Sequence, residues 1–410
     1  MPANRKIPHI AIQNDWNIAL QNENGTAWCS FKYIGETSVQ CTIKNVGRDG
    51  KAFEVTPNEL SVNRISATVI QVTHPESNTV CFFKSPDSEF LNIHKKSVVS
   101  LDVSPGGLGV SVCTENKLLV WETSTGDVRR VLEGHAGDVY KCALFPSGIV
   151  VLSGGADMVL KIWSAETGQC PVTLRGHTAA VTDFCIVDKG KNIISVSKDG
   201  TAKLWSCGQA ACLGTVVKLD GDINCCNISV AEEGLDLGER TDPLQEHEVG
   251  TQNKILLVGC ESGIVCCVSV YSKKKFFSVK SPSAVNSVKF HTKSNVLVGC
   301  QDGSIHLYNL KTSECILTLM ESCSPVLSLL TLDSGAVFVG RADGTCICYR
   351  SVAQDNESTA RRLQFTGSDF DPIYGICSDG KKIYTACRDG VIRSYKLTGE
   401  LDMMFKSTYT

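Results

Sequence analysis

The chain has 410 residues, 42% of them apolar and 20% charged, with a formal net charge of −3. These are the proportions of a globular protein with a real core, arranged as one large domain or two ordinary ones. They exclude a general electrostatic pull toward nucleic acid or anionic lipid, and no apolar run is long enough to span a bilayer.

The start, MPANRKIPHIAIQNDW, lacks the apolar stretch of a secretory leader. The 21 cysteines are therefore expected as reduced thiols in cytosol or nucleus. The sequons at Asn24, Asn227 and Asn356 are expected to stay unmodified. Cys225–Cys226 and Cys266–Cys267 are adjacent pairs, so each pair splits across the two faces of a strand. Cys346 and Cys348 share a face, but no second pair stands at zinc-site spacing. The cysteines read as buried apolar thiols, with no metal and no cofactor.

Residues 1–88 hold Trp16 and Trp28, two of the five tryptophans. Asn14 is placed to cap a short helix through Leu20. Strand-like runs follow at Ser38–Ile43 and Ala67–Thr73, with turns near Gly47 and Gly50. This predicts a small α+β domain packed on the rest, or else a partner-binding extension.

A repeat occupies residues 89–400. In EGHAGDVYKCALFPSGIVVLSGGADMVLKIW, the residues His135, Ser153, Asp157 and Trp163 stand at fixed spacing. They recur as His177, Ser195, Asp199 and Trp205, and in an earlier version as His94, Ser111, Glu115 and Trp121. His, Ser and Asp are the residue types of a hydrolase triad. A catalytic group is needed once, however, whereas a set recurring in successive units belongs to architecture. Downstream, Asp302-Gly303 precedes Tyr308, Asp343-Gly344 precedes Tyr349, and Asp389-Gly390 precedes Tyr395. A degenerate unit has Ser262-Gly263 with Val268 in the aromatic place. The markers fall at 121, 163, 205, 268, 308, 349 and 395, which gives seven units of about forty residues.

Each unit holds four short apolar or alternating runs. In the quoted unit they are Val139–Leu144, Ile149–Ser153, Leu160–Trp163 and Pro171–Leu174, separated by Gly-containing turns. Four strands per unit, seven units and no long helical pattern predict an all-β fold, a seven-bladed β-propeller. Closure needs a strand from outside the period, and Glu89–Ile93 is placed to complete the seventh blade. The interval from 205 to 268 holds an acidic insertion at 231–252, with seven acidic residues and one Arg. It predicts a mobile polar loop, either solvated or a contact for a basic partner. The tail 401–410 is surplus, or competes for the closing edge.

The Gly-His opening, the turn Asp and the strand-ending Trp resemble the WD40 repeat, although Glu122, Ser164 and Ser206 replace the usual Asp after Trp. The resemblance implies a buried network in which His135 bonds Ser153, Asp157 orients the His and Trp163 closes the set. His94 and His177 would do the same in their units. The blocks RRVLEGHAGDVYKCALFPSGIVVLSGGADMVLKIWSAETG, GTAKLWSCGQAACLG, LGVSVCTENKLLVW and PVLSLL, with NDWNIAL and AWCSF near the start, further resemble the proteasomal ATPase-associated factor family. That resemblance covers the N-terminal segment and the ring to near Leu397. It implies a chaperone for assembly of the proteasome regulatory particle. Such a chaperone binds the C-terminal domain of a base ATPase subunit and hinders premature docking on the core particle.

No nucleotide-binding loop, G-x-S-x-G elbow or H-E-x-x-H is present. An enzyme is not expected. The basic run Lys273–Lys275 reads as a solvated hairpin edge. Rim positions set by the turn Asp and by the loop entering each first strand are Tyr140, Lys198, Asp222, Glu261, Arg341, Asp369, Asp371 and Arg388. The four acids among them would face a basic ATPase surface. The chain is expected to be a monomer on its own, with no nucleic acid or membrane partner. The alternatives are a substrate receptor of a cullin-based ubiquitin ligase or a general scaffold of another complex. Receptors of that kind often carry Trp-Asp-x-Arg, where this chain has WETS, WSAE and WSCG.

Overall fold

The computed structural model describes residues 8–33, 35–47, 50–349 and 361–397. The tail 401–410 and the sequon at Asn356 lie outside them. Seven antiparallel sheets follow one another round a ring. Blade 1 is Val98–Val103, Leu108–Cys113, Leu118–Glu122 and Val128–Leu132. Blade 2 is Val139–Leu144, Val150–Gly155, Val159–Ser164 and Val172–Arg175, and blade 3 is Val181–Val187, Asn192–Ser197, Thr201–Ser206 and Ala211–Lys218. Blade 4 is Ile223–Val230, Lys254–Cys260, Ile264–Ser269 and Lys275–Lys280. Blade 5 is Val285–Phe290, Asn295–Cys300, Ile305–Asn309 and Cys315–Leu319, and blade 6 begins with Val326–Thr331, Val337–Arg341, Cys346–Tyr349 and Arg361–Phe365. Blade 7 is Ile373–Ser378, Lys382–Cys387 and Ile392–Lys396, finished by Ser88–Phe90. The first strand of each blade packs against the first strands of its two neighbours, and blade 7 meets blade 1.

Both faces of a blade are buried against neighbours, so its inner strands are apolar almost throughout. Blade 4 shows how the pleat divides such a run. Cys226 and Cys266 join the core shared with blade 3, while Cys225 and Cys267 join the core shared with blade 5. Burial first, and the neighbouring Cys260 second, push the Cys266 thiol up to about 12. These thiols fill space and stay protonated.

The N-terminal segment is almost entirely β. His9–Ile12, Thr26–Lys32, Val39–Asn45 and Phe53–Thr56 form a four-stranded sheet, and the helical part is one turn, Trp16–Ala19. Asn14 does not cap that turn, which starts after Asp15 with no side-chain cap. The next strands, Ser61–Ser66, Val69–His74 and Thr79–Lys84, extend blade 6 outward into a seven-stranded sheet. Thr79–Lys84 runs parallel to Arg361–Phe365, with Val80 opposite Arg361 and Lys84 opposite Phe365. Alternation sorts their side chains. Ile70, Val72, Cys81 and Phe83 pack under the four-stranded sheet with Ile10, Trp16, Phe31 and Ile43. Val69 and Phe82 pack on Phe365 and Tyr395.

Ser88–Phe90 pairs antiparallel with Ile392–Lys396. It starts one residue before the expected run and stops at Phe90, because Leu91 turns to solvent and Ile93 drops into the core between blades 7 and 1.

The acidic insertion is packed, contrary to the expectation of a free loop. It joins the first two strands of blade 4 on the lower face. Arg240 donates to both carboxylate oxygens of Glu248 at 2.7 and 2.9 Å, and both side chains are nearly buried. The guanidinium lies over Tyr271, 5.0 Å from the ring centre. Asn192 of blade 3 holds His247 O and Val249 N–H at 3.1 and 2.7 Å. Lys273 and Lys274 of blade 4 pair with Asp242 and Asp236, and Lys311 of blade 5 pairs with Glu232. Two of the three lysines read as a solvated edge are thus counter-ions of the insertion.

Candidate functional site

The upper face is made of the loops between blades and the turns between second and third strands. Buried polar chains hold these loops in blades 2 and 3. Trp163 Nε1 donates to Ser153 Oγ at 2.8 Å, the Ser153 hydroxyl meets His135 Nε2 at 2.7 Å, and His135 Nδ1 meets Asp157 Oδ2 at 2.8 Å. An indole N–H can only donate. Ser153 therefore gives its proton to Nε2, and the neutral imidazole carries its own on Nδ1. Burial lowers the His135 and His177 pKa values, and the partner aspartates only partly oppose it. His177 repeats the chain through Ser195, Asp199 and Trp205, each step at 2.8 Å. Burial works against the Asp199 charge, yet hydrogen bonds from Thr201, the Thr178 N–H and His177 outweigh it and hold the carboxyl at about 2.

Blade 1 departs from the expected set. His94 bonds Ser111 at 2.7 Å and Trp121 donates to the same hydroxyl at 3.0 Å, but Glu115 does not reach the imidazole. Its carboxylate turns to Lys117 at 3.0 Å, on the exposed side of the turn. His94 Nδ1 is buried without a hydrogen-bond partner among the described residues. Burial first, and the Lys117 charge second, push its pKa down to about 4.

Blades 5, 6 and 7 satisfy their turn aspartates in other ways, which the repeat did not reveal. Thr345 Oγ1 donates to Asp343 at 2.7 Å, Ser304 Oγ to Asp302 at 2.6 Å, and Arg393 Nη2 to Asp389 at 2.6 Å. Arg341 is a correction to the rim set. It is 0% exposed and donates from Nη1 to Gly303 O and Ser324 O at 2.8 and 3.1 Å. Opposite the first inner residue, the other blades carry Cys113, Gly155, Ser197, Cys260, Cys300 and Cys387. Arg341 fills inward the space that small residues leave elsewhere. Comparing that one position across the units is the signal that finds it.

The other rim candidates do reach the upper surface. Tyr140, Lys198, Glu261, Asp369 and Arg388 are exposed, and Asp222 and Asp371 are half-buried. They do not act as four equivalent acids. Asp371 is neutralised by Arg388 at 2.7 Å. Asp369 accepts a hydrogen bond from Asn14 Nδ2 at 3.3 Å. Glu261 accepts one from Asn224 at 2.7 Å, and its N–H bonds Asp222 O at 3.0 Å, which joins two loops of blade 4. Asp220, missed by sequence, lies exposed in the same loop. Asp220, Asp222 and Glu261 make no ion pair among the described residues, so this corner is acidic.

The rim surrounds an axial cavity of about 170 Å³, lined by all seven first strands. At its upper mouth a side chain from one blade bonds the next. Thr182 donates to Ile223 O at 2.6 Å, Asn224 to Val285 O at 3.1 Å, and Asn286 to Val326 O at 3.1 Å. The corresponding residues in the other blades are Val99, Tyr140, Leu327 and Tyr374. The mouth is therefore polar and laced on blades 3–5 and apolar on the rest. Among the described residues no group of three His, Cys, Asp or Glu is placed to hold a metal.

A closed ring of four-stranded blades with His–Ser–Asp–Trp wiring defines a WD40 β-propeller. The model of the WD domain, G-beta repeat, matches residues 126–164 and 168–206, and that of the WD40 repeated domain matches 251–400. The chain is 42% identical over 394 residues to proteasomal ATPase-associated factor 1 of Homo sapiens, covering 95% of this chain and 98% of the relative. The Bos taurus protein of that name is 41% identical over the same shares. A Dictyostelium discoideum protein named probable proteasomal ATPase-associated factor 1 is 33% identical over 95% and 96%. The chain belongs to the proteasomal ATPase-associated factor 1 family.

Proposed function

We propose that this chain is a chaperone for assembly of the proteasome regulatory particle. It binds the C-terminal domain of one ATPase subunit of the base through its upper face. While bound, it hinders premature docking of the ATPase ring on the core particle. The work is occlusion and positioning by a monomer, without catalysis, in the cytosol and nucleus. The observation that carries this reading is the near full-length match to proteins named for association with proteasomal ATPases. The acidic corner Asp220, Asp222 and Glu261 supports it, because it offers a stiff, uncompensated negative patch to a basic domain.

The test is direct binding of the full chain to the C-terminal domain of each proteasomal ATPase in turn. One domain should bind, and more weakly as salt rises. Asp222→Lys with Glu261→Lys should weaken that complex about tenfold or more while leaving the melting midpoint within a degree or two. Binding to none of the domains overturns the reading. Binding that survives the charge reversal removes this corner from it.

A further inference from the structure

The loop from blade 6 to blade 7 holds an aromatic side chain in solvent at a backbone cost. Asp369 and Phe370 have φ of 45° and 65°. Two consecutive non-glycine residues in the left-handed region are uncommon, and for a bulky residue the conformation is strained. Burial does not offset that strain, because Phe370 is 61% exposed.

The surroundings impose the shape. Ser368 Oγ donates to Gly344 O at 2.5 Å, and the Asp371 N–H returns to Ser368 O at 2.9 Å. The Asp371–Arg388 ion pair pins the far side. Asn14 brackets the near side, accepting from the Gly367 N–H at 3.4 Å and donating to Asp369. Trp16 Nε1 and Tyr395 OH both donate into Thr366, at 3.2 and 2.8 Å. The turn beneath is cut to fit, since a Cβ on Gly344 would lie 2.7 Å from the Phe370 Cα. Five residues from three parts of the chain thus hold a side chain that touches little of its own protein. Four residues on, Tyr374 lines the apolar half of the axial mouth.

We propose that Phe370 is the aromatic anchor of the upper face, entering an apolar pocket with a basic rim on the ATPase domain. This inference rests on the function proposed above. A rigid aromatic group loses little freedom on docking and dominates the affinity where it is fully desolvated. The rim chemistry follows from charge. Arg388 cancels Asp371, whereas Asp369, next to Phe370, has no cation within ion-pair reach among the described residues.

The experiment compares the full wild-type chain with Phe370→Gly, Phe370→Ala and Phe370→Tyr, measuring affinity for each ATPase C-terminal domain and the melting midpoint. Glycine adopts positive φ without strain. Phe370→Gly should therefore melt a few degrees higher than wild type, yet bind about 30-fold more weakly. Phe370→Ala should lose similar affinity, and Phe370→Tyr should keep it. Wild-type binding with unchanged affinity in Phe370→Gly overturns the anchor and leaves the proposed function standing. A lower melting midpoint for Phe370→Gly makes the residue structural and also overturns the anchor. No wild-type binding to any ATPase domain overturns the proposed function and this partner with it.

Discussion

A single buried imidazole decides how each complete blade is wired. His135 is the one group that links the Ser153 hydroxyl to the Asp157 carboxylate. Removing it leaves the Ser153 O–H without its acceptor and leaves Asp157 Oδ2 with only the Ala136 N–H at 3.0 Å, in a low-dielectric site, so His135→Ala should cost about 3 kcal/mol of unfolding free energy. His94→Ala strands only Ser111 and should cost about half as much. Denaturant midpoints of the two variants check the order. Acid should act through the same groups. His94 titrates at about 4 in the fold and near 6.5 unfolded, so its unfolded form binds the extra proton first. Stability is therefore full above pH 6.5 and lost as pH falls from there to about 4, by on the order of 3 kcal/mol. A melting-midpoint series over that range should fall less steeply for His94→Gln. The His, Ser and Trp positions were legible because spacing fixes them. Glu115 was not, because Lys117, two residues on, captures its carboxylate in the turn. Arg341 misled because a turn position does not say whether a long side chain points out or in.

The insertion shows what charge composition alone conceals. Seven acids among twenty-two residues suggest a solvated loop, but Lys273, Lys274 and Lys311 stand far downstream, and no periodicity links them to it. Its centre is the Arg240–Glu248 pair, and breaking one side of such a buried pair leaves an uncompensated charge. Arg240→Ala should loosen this element by about 3 kcal/mol while the ring stays folded. Limited proteolysis should then cut within 231–252 at enzyme levels the parent withstands, and hydrogen exchange there should quicken without change in blades 1 and 7. Equal protection in parent and variant would mean the staple lies elsewhere. The repeating strands themselves were read to within a residue or two, because blade cores impose a period. The three strands that lengthen blade 6 were not read as part of it, because a parallel pairing between residues 80–84 and 361–365 leaves no local mark in either segment.

At the scale of the whole molecule, the N-terminal segment is a fastener. It lengthens blade 6 with Thr79–Lys84 and finishes blade 7 with Ser88–Phe90. A chain beginning at residue 91 would leave Ile392–Lys396 as a bare edge and uncover the ring partners of Phe82 in one core and of Phe90 in another. Such a chain should run as aggregate on size exclusion and lose the sharp melt of the parent. A monomeric, cooperative product would show that the ring closes without the fastener. The same arrangement sets an order for synthesis on the ribosome. Residues 79–90 emerge long before their partners at 361–396, so Thr79–Lys84 must wait with one edge bare, and Ser88–Phe90 without any partner strand, for nearly the whole chain. Six blades can assemble as they leave the tunnel, but the ring is sealed only when the end of the chain comes back to its beginning, and until then the nascent protein carries a sticky seam.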